Sequence, residues 1–109
     1  MQSVAKQVET QALAALVRHP LHAEATGWAY CASDVYEQPK SFVDRLRLAE
    51  EDKERIQMGL RDVEAVLVVS FWASERKPEP LSGAGKHYAF FLHPQTFEVL
   101  HSGVGAWRA

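Results

Sequence analysis

The chain has 109 residues, of which 47% are hydrophobic and 24% are charged, values typical of one globular domain. The formal net charge of −2 argues against a nucleic-acid-binding protein, because such proteins usually present a basic face. The lone cysteine, Cys31, excludes an internal disulfide and a CxxC metal site, which favours a reducing compartment. We therefore expect a single domain over residues 1–109.

The N-terminal segment is amphipathic rather than uniformly apolar. Lys6, Glu9 and Arg18 interrupt its apolar residues, so it predicts neither a secretory signal nor a membrane span, and we expect a cytoplasmic protein. Its apolar positions recur at four-residue spacing, at Val4, Val8, Ala12 and Leu16. That spacing predicts a helix over residues 3–18, which Pro20 terminates.

The middle of the chain leaves two structural alternatives open. Residues 27–37 alternate aromatic with smaller side chains, a pattern compatible with a short strand or with an extended loop. Residues 41–60 carry a helical apolar stripe, but the charged centre AEEDKER interrupts it, so they form either one helix or two. Gly59 suits the C-terminal end of this region.

The strongest strand signal is VEAVLVVSFWAS, residues 63–74. Residues of both parities are apolar at its centre, which predicts a central strand buried on both faces. Residues 75–85 are rich in Pro, Gly and Ser and predict a loop, whereas residues 103–109 predict a short tail. Together the elements predict an α+β domain, in which one or two N-terminal helices pack on a small antiparallel β-meander.

The stretch KHYAFFLHPQTFEVLHS, residues 86–102, predicts a β-hairpin that turns at residues 93–96. Side-chain alternation then assigns one face mostly to large apolar residues, namely Tyr88, Phe90, Leu92, Phe97, Val99 and His101. In this register, Tyr88 lies opposite His101. His87 and His93 share the other face about 20 Å apart, too far to hold one metal ion. We therefore expect structural roles for these histidines.

Few residues are candidates for catalysis or metal binding. His19 and His22 have i,i+3 spacing, but Pro20 lies between them and prevents a regular helical pair of ligands. Cys31 would need a histidine base beside it to act as a nucleophile, and we interpret it as a small packed side chain. We expect no catalytic residue, no metal and no cofactor.

Two groups of residues are candidates for binding. The first would contact a partner protein and comprises the acids Glu50, Glu51, Asp52 and Glu54, together with Trp107. The acids suit a basic partner, whereas Trp107 lies in the glycine-flanked tail and either docks on the domain or anchors a partner. The second group would line a pocket between helix and sheet and comprises Tyr30, Asp34, Tyr88 and His101.

The C-terminal half of the chain resembles a known family. The strand VLVVSFWA, with a tryptophan near its end, precedes a polar loop and then YAFFLHPQTFEVLHS, two apolar strands around a His-Pro-x-Thr turn. This order resembles small nuclear-transport-factor-two-like (cystatin-like cone) domains, which include short bacterial immunity proteins that neutralise a cognate toxin. The resemblance covers about residues 63–102 and departs at residues 41–60, where a charged helix replaces the expected strands.

The resemblance implies a non-enzymatic protein-binding module, namely an immunity-type inhibitor of a bacterial toxin. Its partner would be another protein, and we expect it to bind neither nucleic acid nor a membrane. The alternative hypothesis is a small-ligand-binding or enzymatic cone domain that uses the pocket between helix and sheet. A homodimer, joined by sheet edges or by an open face that carries Phe91 and Leu100, is a further hypothesis.

Overall fold

The structure, a computed structural model, describes residues 2–77 and 83–108. In chain order its elements are β1 (Gln2–Ser3), α1 (Lys6–Ala15), α2 (Pro20–Thr26), β2 (Tyr30–Pro39), a 3₁₀ helix (Lys40–Arg45), α3 (Glu50–Gly59), β3 (Ala65–Ser74), β4 (Ala84–Leu92) and β5 (Val99–Arg108). The strands form one five-stranded antiparallel sheet in the order β1-β2-β3-β4-β5. The α+β class, with N-terminal helices packed on an antiparallel meander, is therefore confirmed.

The first face of the sheet packs against α1 and α2. Successive side chains of a strand point to opposite faces, and the odd-numbered residues of β3 point to this side. The core here consists of Ala12, Leu16, Ala25, Val35, Leu67, Val69, Phe71, Ala73, Tyr88, Phe90 and Leu92. Because these residues run the length of β3 and β4, the helices bury the whole central part of the first face.

The second face packs against the 3₁₀ helix and α3, but only over part of its length. Its core consists of Val43, Ile56, Leu60, Val63, Val66, Val68, Phe91 and Leu100. Val66 and Val68 lie in the first half of β3, and α3 covers them together with the end of β4. The prediction of a central strand buried on both faces is confirmed for this half of β3.

The N-terminal helical region is divided into two helices. The predicted helix over residues 3–18 is shorter, because α1 begins at Lys6 and ends at Ala15. Pro20 does not terminate a helix but occupies the first turn of α2, where its missing N–H costs nothing. His19 caps this second helix, since its Nδ1 accepts the backbone N–H of Leu21 at 3.1 Å. None of the helices in the described part of the chain has the length and hydropathy needed to cross a membrane.

The two open alternatives are both resolved. Residues 27–37 fall mostly within β2, which is a strand, and residues 41–60 form two helices rather than one. Asp44 joins those two helices, because its Oδ1 accepts a hydrogen bond of 2.6 Å from the Gln57 side chain. As predicted, α3 ends at Gly59, where Leu100 of β5 packs so closely that a Cβ would lie 2.6 Å from its Cδ2.

The C-terminal hairpin is longer than predicted, and its register differs. Leu92 pairs with Val99 and Phe91 with His101, so a β-bulge separates these two pairs. The prediction that Tyr88 faces His101 is therefore wrong: Tyr88 faces Val104, and the bulge places His101 on the second face. The predicted tail is also wrong, because residues 103–108 continue β5 and pair with the first half of β4. Residues 78–82 of the predicted loop lie outside the described residues.

His93 organises the turn of this hairpin. Its Nδ1 accepts the backbone N–H groups of Gln95 and Thr96 at 3.1 and 3.2 Å, so Nε2 carries the ring hydrogen. That Nε2–H donates to Asp62 Oδ1 at 3.0 Å. The hydrogen bond from His93 holds the pKa of Asp62 below its usual range. The buried His93 ring therefore has a structural role.

Candidate functional site

Beyond α3, the second face of the sheet carries an uncovered group of aromatic side chains. We name it the aromatic surface and define it as Tyr30 of β2, Trp72 of β3, His87 of β4 and Trp107 of β5. Their strand registers place all four side chains on the second face. The other residues of this half-face are small or polar, namely Ala32, Asp34, Ser70, Ser74, Gly85, Ala89, Gly103 and Gly105. The aromatic rings therefore project from a floor of short side chains.

Trp72 and His87 form the centre of the aromatic surface. They are direct cross-strand neighbours, and their rings stack with centroids 4.0 Å apart at an interplanar angle of 25°. Partial burial lowers the pKa of His87, because desolvation penalises the imidazolium. Its Nε2 is buried and has no hydrogen-bond partner among the described residues. The ring is therefore held as a neutral, largely apolar part of the surface.

Trp107 docks on the sheet rather than extending from a tail. Its indole N–H donates to the backbone carbonyl of Ala73 at 3.2 Å, two strands away. The indole crosses β4 at Gly85, where a Cβ would lie 1.8 Å from that carbonyl oxygen and 2.8 Å from Nε1 of Trp107. Only glycine leaves room for this crossing. Of the two alternatives predicted for Trp107, docking on the domain is the one observed.

A groove of about 400 Å³ opens beside these rings, lined by Tyr30, Cys31, Ala32, Trp72, Ser74 and Trp107. Its lining is mainly apolar, and two of its aromatic residues are well exposed, Tyr30 at 45% and Trp72 at 43%. Exposed aromatic rings around an apolar depression are suited to receive an apolar or aromatic side chain. The groove does not present several convergent polar groups, which a specific polar ligand would require.

The four acids predicted to bind a partner lie at the start of α3, and α3 also lies on the second face. Glu50, Glu51 and Glu54 are exposed. Asp52 is half-buried and pairs with Arg55, whose Nη2 lies 3.4 Å from its Oδ1. The three exposed glutamates therefore remain available, and they lie on the same side of the sheet as the aromatic surface.

The four residues of the predicted pocket do not line one cavity. Tyr30, Asp34 and His101 lie on the second face, whereas Tyr88 is fully buried on the first. The Tyr88 hydroxyl accepts the indole N–H of Trp28 at 3.1 Å, and burial raises the pKa of Tyr88. His101 stacks on Phe91 near α3, with ring centroids 5.8 Å apart. The interface between helices and sheet is filled by side chains at this position.

The remaining chemistry-bearing residues are also dispersed. His19 and His22 each contact an aromatic ring of the first-face core edge to face, Phe90 and Phe71 respectively. No group of three or more His, Cys, Asp or Glu in residues 2–77 and 83–108 is arranged to hold a metal ion. Cys31 is exposed, contrary to the expectation of a packed side chain. Desolvation raises its pKa, which reduces its thiolate fraction.

Sequence reasoning did not select Trp72 and His87 as site residues. Their signal is the change along β3 from Val66 and Val68 to Ser70 and Ser74, residues that share the second face with Trp72. A strand that is covered throughout would keep large apolar residues at these positions. This change from valine to serine is visible in the sequence. Whether it marks an exposed part of the second face depends on how far α3 extends over the sheet.

We compared the chain with protein-family models, with curated proteins and with solved structures, and none of the three comparisons gave a match.

Proposed function

We propose that the protein is a non-enzymatic protein-binding module that engages its partner through the aromatic surface. The observation that supports this proposal is the incomplete cover of the second face. Trp72 and Tyr30 are each exposed by more than two fifths beside an apolar groove. Such a patch is typical of an interaction site, because its apolar area is removed from water only when a partner covers it.

The rings of the aromatic surface are held in place before binding. Trp72 stacks on His87, and Trp107 is tied to the Ala73 carbonyl. Fixed rings lose little side-chain entropy when a partner docks, so more of the apolar contact contributes to affinity. Tryptophan and tyrosine are also the residue types most often found at energetic hot spots of interfaces. We therefore assign the largest contribution to the binding free energy to Trp72.

The partner we propose has a basic surface around an apolar side chain. The apolar side chain would enter the groove, and lysine or arginine residues would face Glu50, Glu51 and Glu54 of α3. These exposed glutamates mainly accelerate and orient the encounter, because charges at the rim of an interface act more on association than on affinity. The contribution of the glutamates should decrease as the salt concentration rises.

In its most specific form, the proposal is an immunity-type inhibitor that binds and neutralises a cognate bacterial toxin in the cytoplasm. It is supported by the resemblance of residues 63–102 to short immunity proteins of the cone-domain type. It is also supported by a prearranged, rigid apolar surface on a small domain, which suits tight binding to one partner.

The test has two stages. The tagged chain and its Trp72→Ala variant are first used to purify partners from the native host in parallel. The control variant is Val17→Ala, which truncates an apolar side chain that is 61% exposed in the turn after α1, away from the aromatic surface. We expect one partner that the wild type and the control retain and that Trp72→Ala loses by at least about tenfold, a loss of about 1.4 kcal/mol. The captured partner is then expressed in a bacterial host alone and together with each variant.

Growth should stop when the partner is expressed alone and should recover with the wild type and with Val17→Ala, but not with Trp72→Ala. Capture of no partner by the wild type would refute the binding module. Equal retention by Trp72→Ala would refute the aromatic surface as the binding site. A captured partner that is harmless to the host would refute the toxin-inhibitor form and leave the binding module supported.

A further inference from the structure

The outer edge of β5 is a long strand edge, and His19, Asp52 and Arg55 line a pocket with its first residues, 99–102. β5 runs from Val99 to Arg108 and pairs on its inner side with β4. In the described part of the chain, no strand pairs with its outer side. Alternate backbone N–H and C=O groups along this edge therefore face away from the domain and can form a further β-ladder.

The sequence of β5 lacks the features that normally protect such an edge. Residues 99–107, VLHSGVGAW, contain no Asp, Glu, Lys, Arg or Pro. Edge strands of monomeric proteins usually carry charges, a proline or a covering segment, because an open edge otherwise pairs with another chain. The opposite edge is different: β1 pairs with Tyr36 and Glu37 of β2, and Asp34 and Pro39 also lie on that strand. β5 therefore has the longer unprotected run, since the uncharged and unpaired part of the β2 edge comprises only residues 30–33.

The centre of β5 is nearly symmetric about Val104. The residues on either side are Gly103 and Gly105, followed by Ser102 and Ala106. In an antiparallel pair of two identical strands centred on Val104, valine meets valine, glycine meets glycine and serine meets alanine, whereas His101 meets Trp107 at each end of the overlap. The centre of β5 is therefore complementary to itself, which a strand evolved for an unrelated peptide would not need to be.

Burial of Val104 would stabilise a pair of strands in this register. Its side chain is 48% exposed on the first face. Directly opposite side chains in an antiparallel pair have Cβ atoms about 4.5–5.5 Å apart, so two Val104 side chains would cover one another. On the second face, an added Cβ at Gly105 would meet no atom within 4 Å, so no side chain covers the face of β5 at this position.

We propose that two copies of the chain pair through β5 in antiparallel orientation around Val104, which joins their sheets into one continuous sheet. The overlap extends from His101 to Trp107 of each copy. α3 contacts β5 at Leu100, and its Asp52 and Arg55 line a pocket with His101 and Ser102, so α3 lies beside one end of the overlap. This inference rests on the strand edge and not on the proposed binding function, because the aromatic surface lies on the face of the sheet.

The first experiment measures the oligomeric state of the full chain over a range of concentrations by size-exclusion chromatography with light scattering. We expect a dimer for the wild type. Val104→Lys should weaken dimerisation by at least about tenfold, because two like charges would lie directly opposite one another. Val17→Lys, which places the same charge on an exposed apolar position in the turn after α1, should remain a dimer. Circular dichroism establishes that each variant is folded.

The second experiment fixes the register and does not depend on the folding of Val104→Lys. In a Cys31→Ser background, which removes the native thiol, Val104→Cys should form a disulfide-linked dimer under mild oxidation. Ala106→Cys should not, because its two copies would be separated by four residues along the strand, about 13 Å, beyond the reach of a disulfide. A wild type that is monomeric at every concentration would overturn the proposal. So would a dimer that persists in Val104→Lys or is linked by Ala106→Cys and not by Val104→Cys.

Discussion

The second face of the sheet has two halves that are built from the same strands. The helical layer covers one half and leaves the other open. In the covered half, Val66, Val68 and Phe91 are buried beneath Ile56 and Leu60 of the helical layer. In the open half, Trp72 and His87 continue the same strands, and Trp72 keeps a large exposed area. The difference shows that one strand can supply both a core and an exposed aromatic surface when the helical cover ends partway along it.

The residue types of the two halves reflect this difference. Branched aliphatic and phenylalanine side chains have no polar group and are most stable when fully buried. Trp72, His87 and Trp107 combine a large apolar body with a polar atom, and the indole N–H of Trp107 already has a partner in the Ala73 carbonyl. Such side chains tolerate partial exposure and still offer apolar contact area to a second molecule.

The largest expected loss of stability comes from a substitution in the covered half of the second face. Ile56→Ala should lower the free energy of unfolding by about 2–5 kcal/mol, because it opens a cavity between α3 and the sheet. Trp72→Ala in the open half should lower it by only about 1 kcal/mol, since part of its side chain is already in water. Urea denaturation of both variants at one protein concentration makes the comparison. Equal losses would show that the aromatic surface is part of the core.

A second comparison concerns two glycines of the open half. Gly85→Ala should cost about 1–3 kcal/mol, because the new Cβ would collide with the Ala73 carbonyl and with the Trp107 indole. It should also displace Trp107 and shift the tryptophan fluorescence to longer wavelength. Gly105→Ala is the matched control, since its Cβ meets no atom within 4 Å. An unchanged spectrum in Gly85→Ala would contradict the docking of Trp107 across β4.

The smallest expected effect concerns pH and His87. The pKa of His87 is lowered in the folded state, so the unfolded chain binds its proton more readily. The contribution of neutral His87 to stability is therefore present above pH about 6.5 and is lost as the pH falls below that value toward the lowered pKa. An NMR titration of the His87 ring should give a pKa below the ordinary histidine value.

The matching stability measurement is urea unfolding at pH 7.5 and at pH 5.5. His87→Gln should reduce the loss of stability between these two pH values, because glutamine does not titrate. His22→Gln removes an imidazole from the first face and should keep the part of the pH dependence that is due to His87. If the free energies of unfolding of the wild type and of His87→Gln differ by the same amount at both pH values, partial burial does not destabilise the charged ring.

Local patterns predicted the elements whose cause is local. The apolar run of β3 predicted a central strand. The charged centre of residues 41–60 suggested a break, but it lies within α3, and the observed division falls before it, at residues 46–49. The second helix was missed because Pro20 was interpreted as a terminator, although proline is equally suited to the first turn of a helix. The continuation of β5 through residues 103–108 was missed, because two glycines obscured the alternation and favoured a tail.

The candidate site was harder to predict, because it depends on register. The predicted pocket joined Tyr88 to His101, but the β-bulge beside Leu100 moves His101 to the other face. The bulge places Leu100 against Gly59 of α3, so its cause is a contact between residues far apart in sequence. Trp107 was selected from the sequence as a candidate partner contact, but its contact with the Ala73 carbonyl requires the pairing of three strands.

The sequence by itself predicted the first helix, the central strand β3 and the C-terminal hairpin, because propensity and side-chain alternation act over a few residues. Only the tertiary structure decided how far α3 extends over the second face, and therefore which aromatic residues stay exposed. That boundary depends on packing between Ile56, Leu60 and strands far away in the chain. The near-symmetric centre of β5 can be seen in the sequence. That β5 lies at an edge of the sheet follows only from the order of the strands.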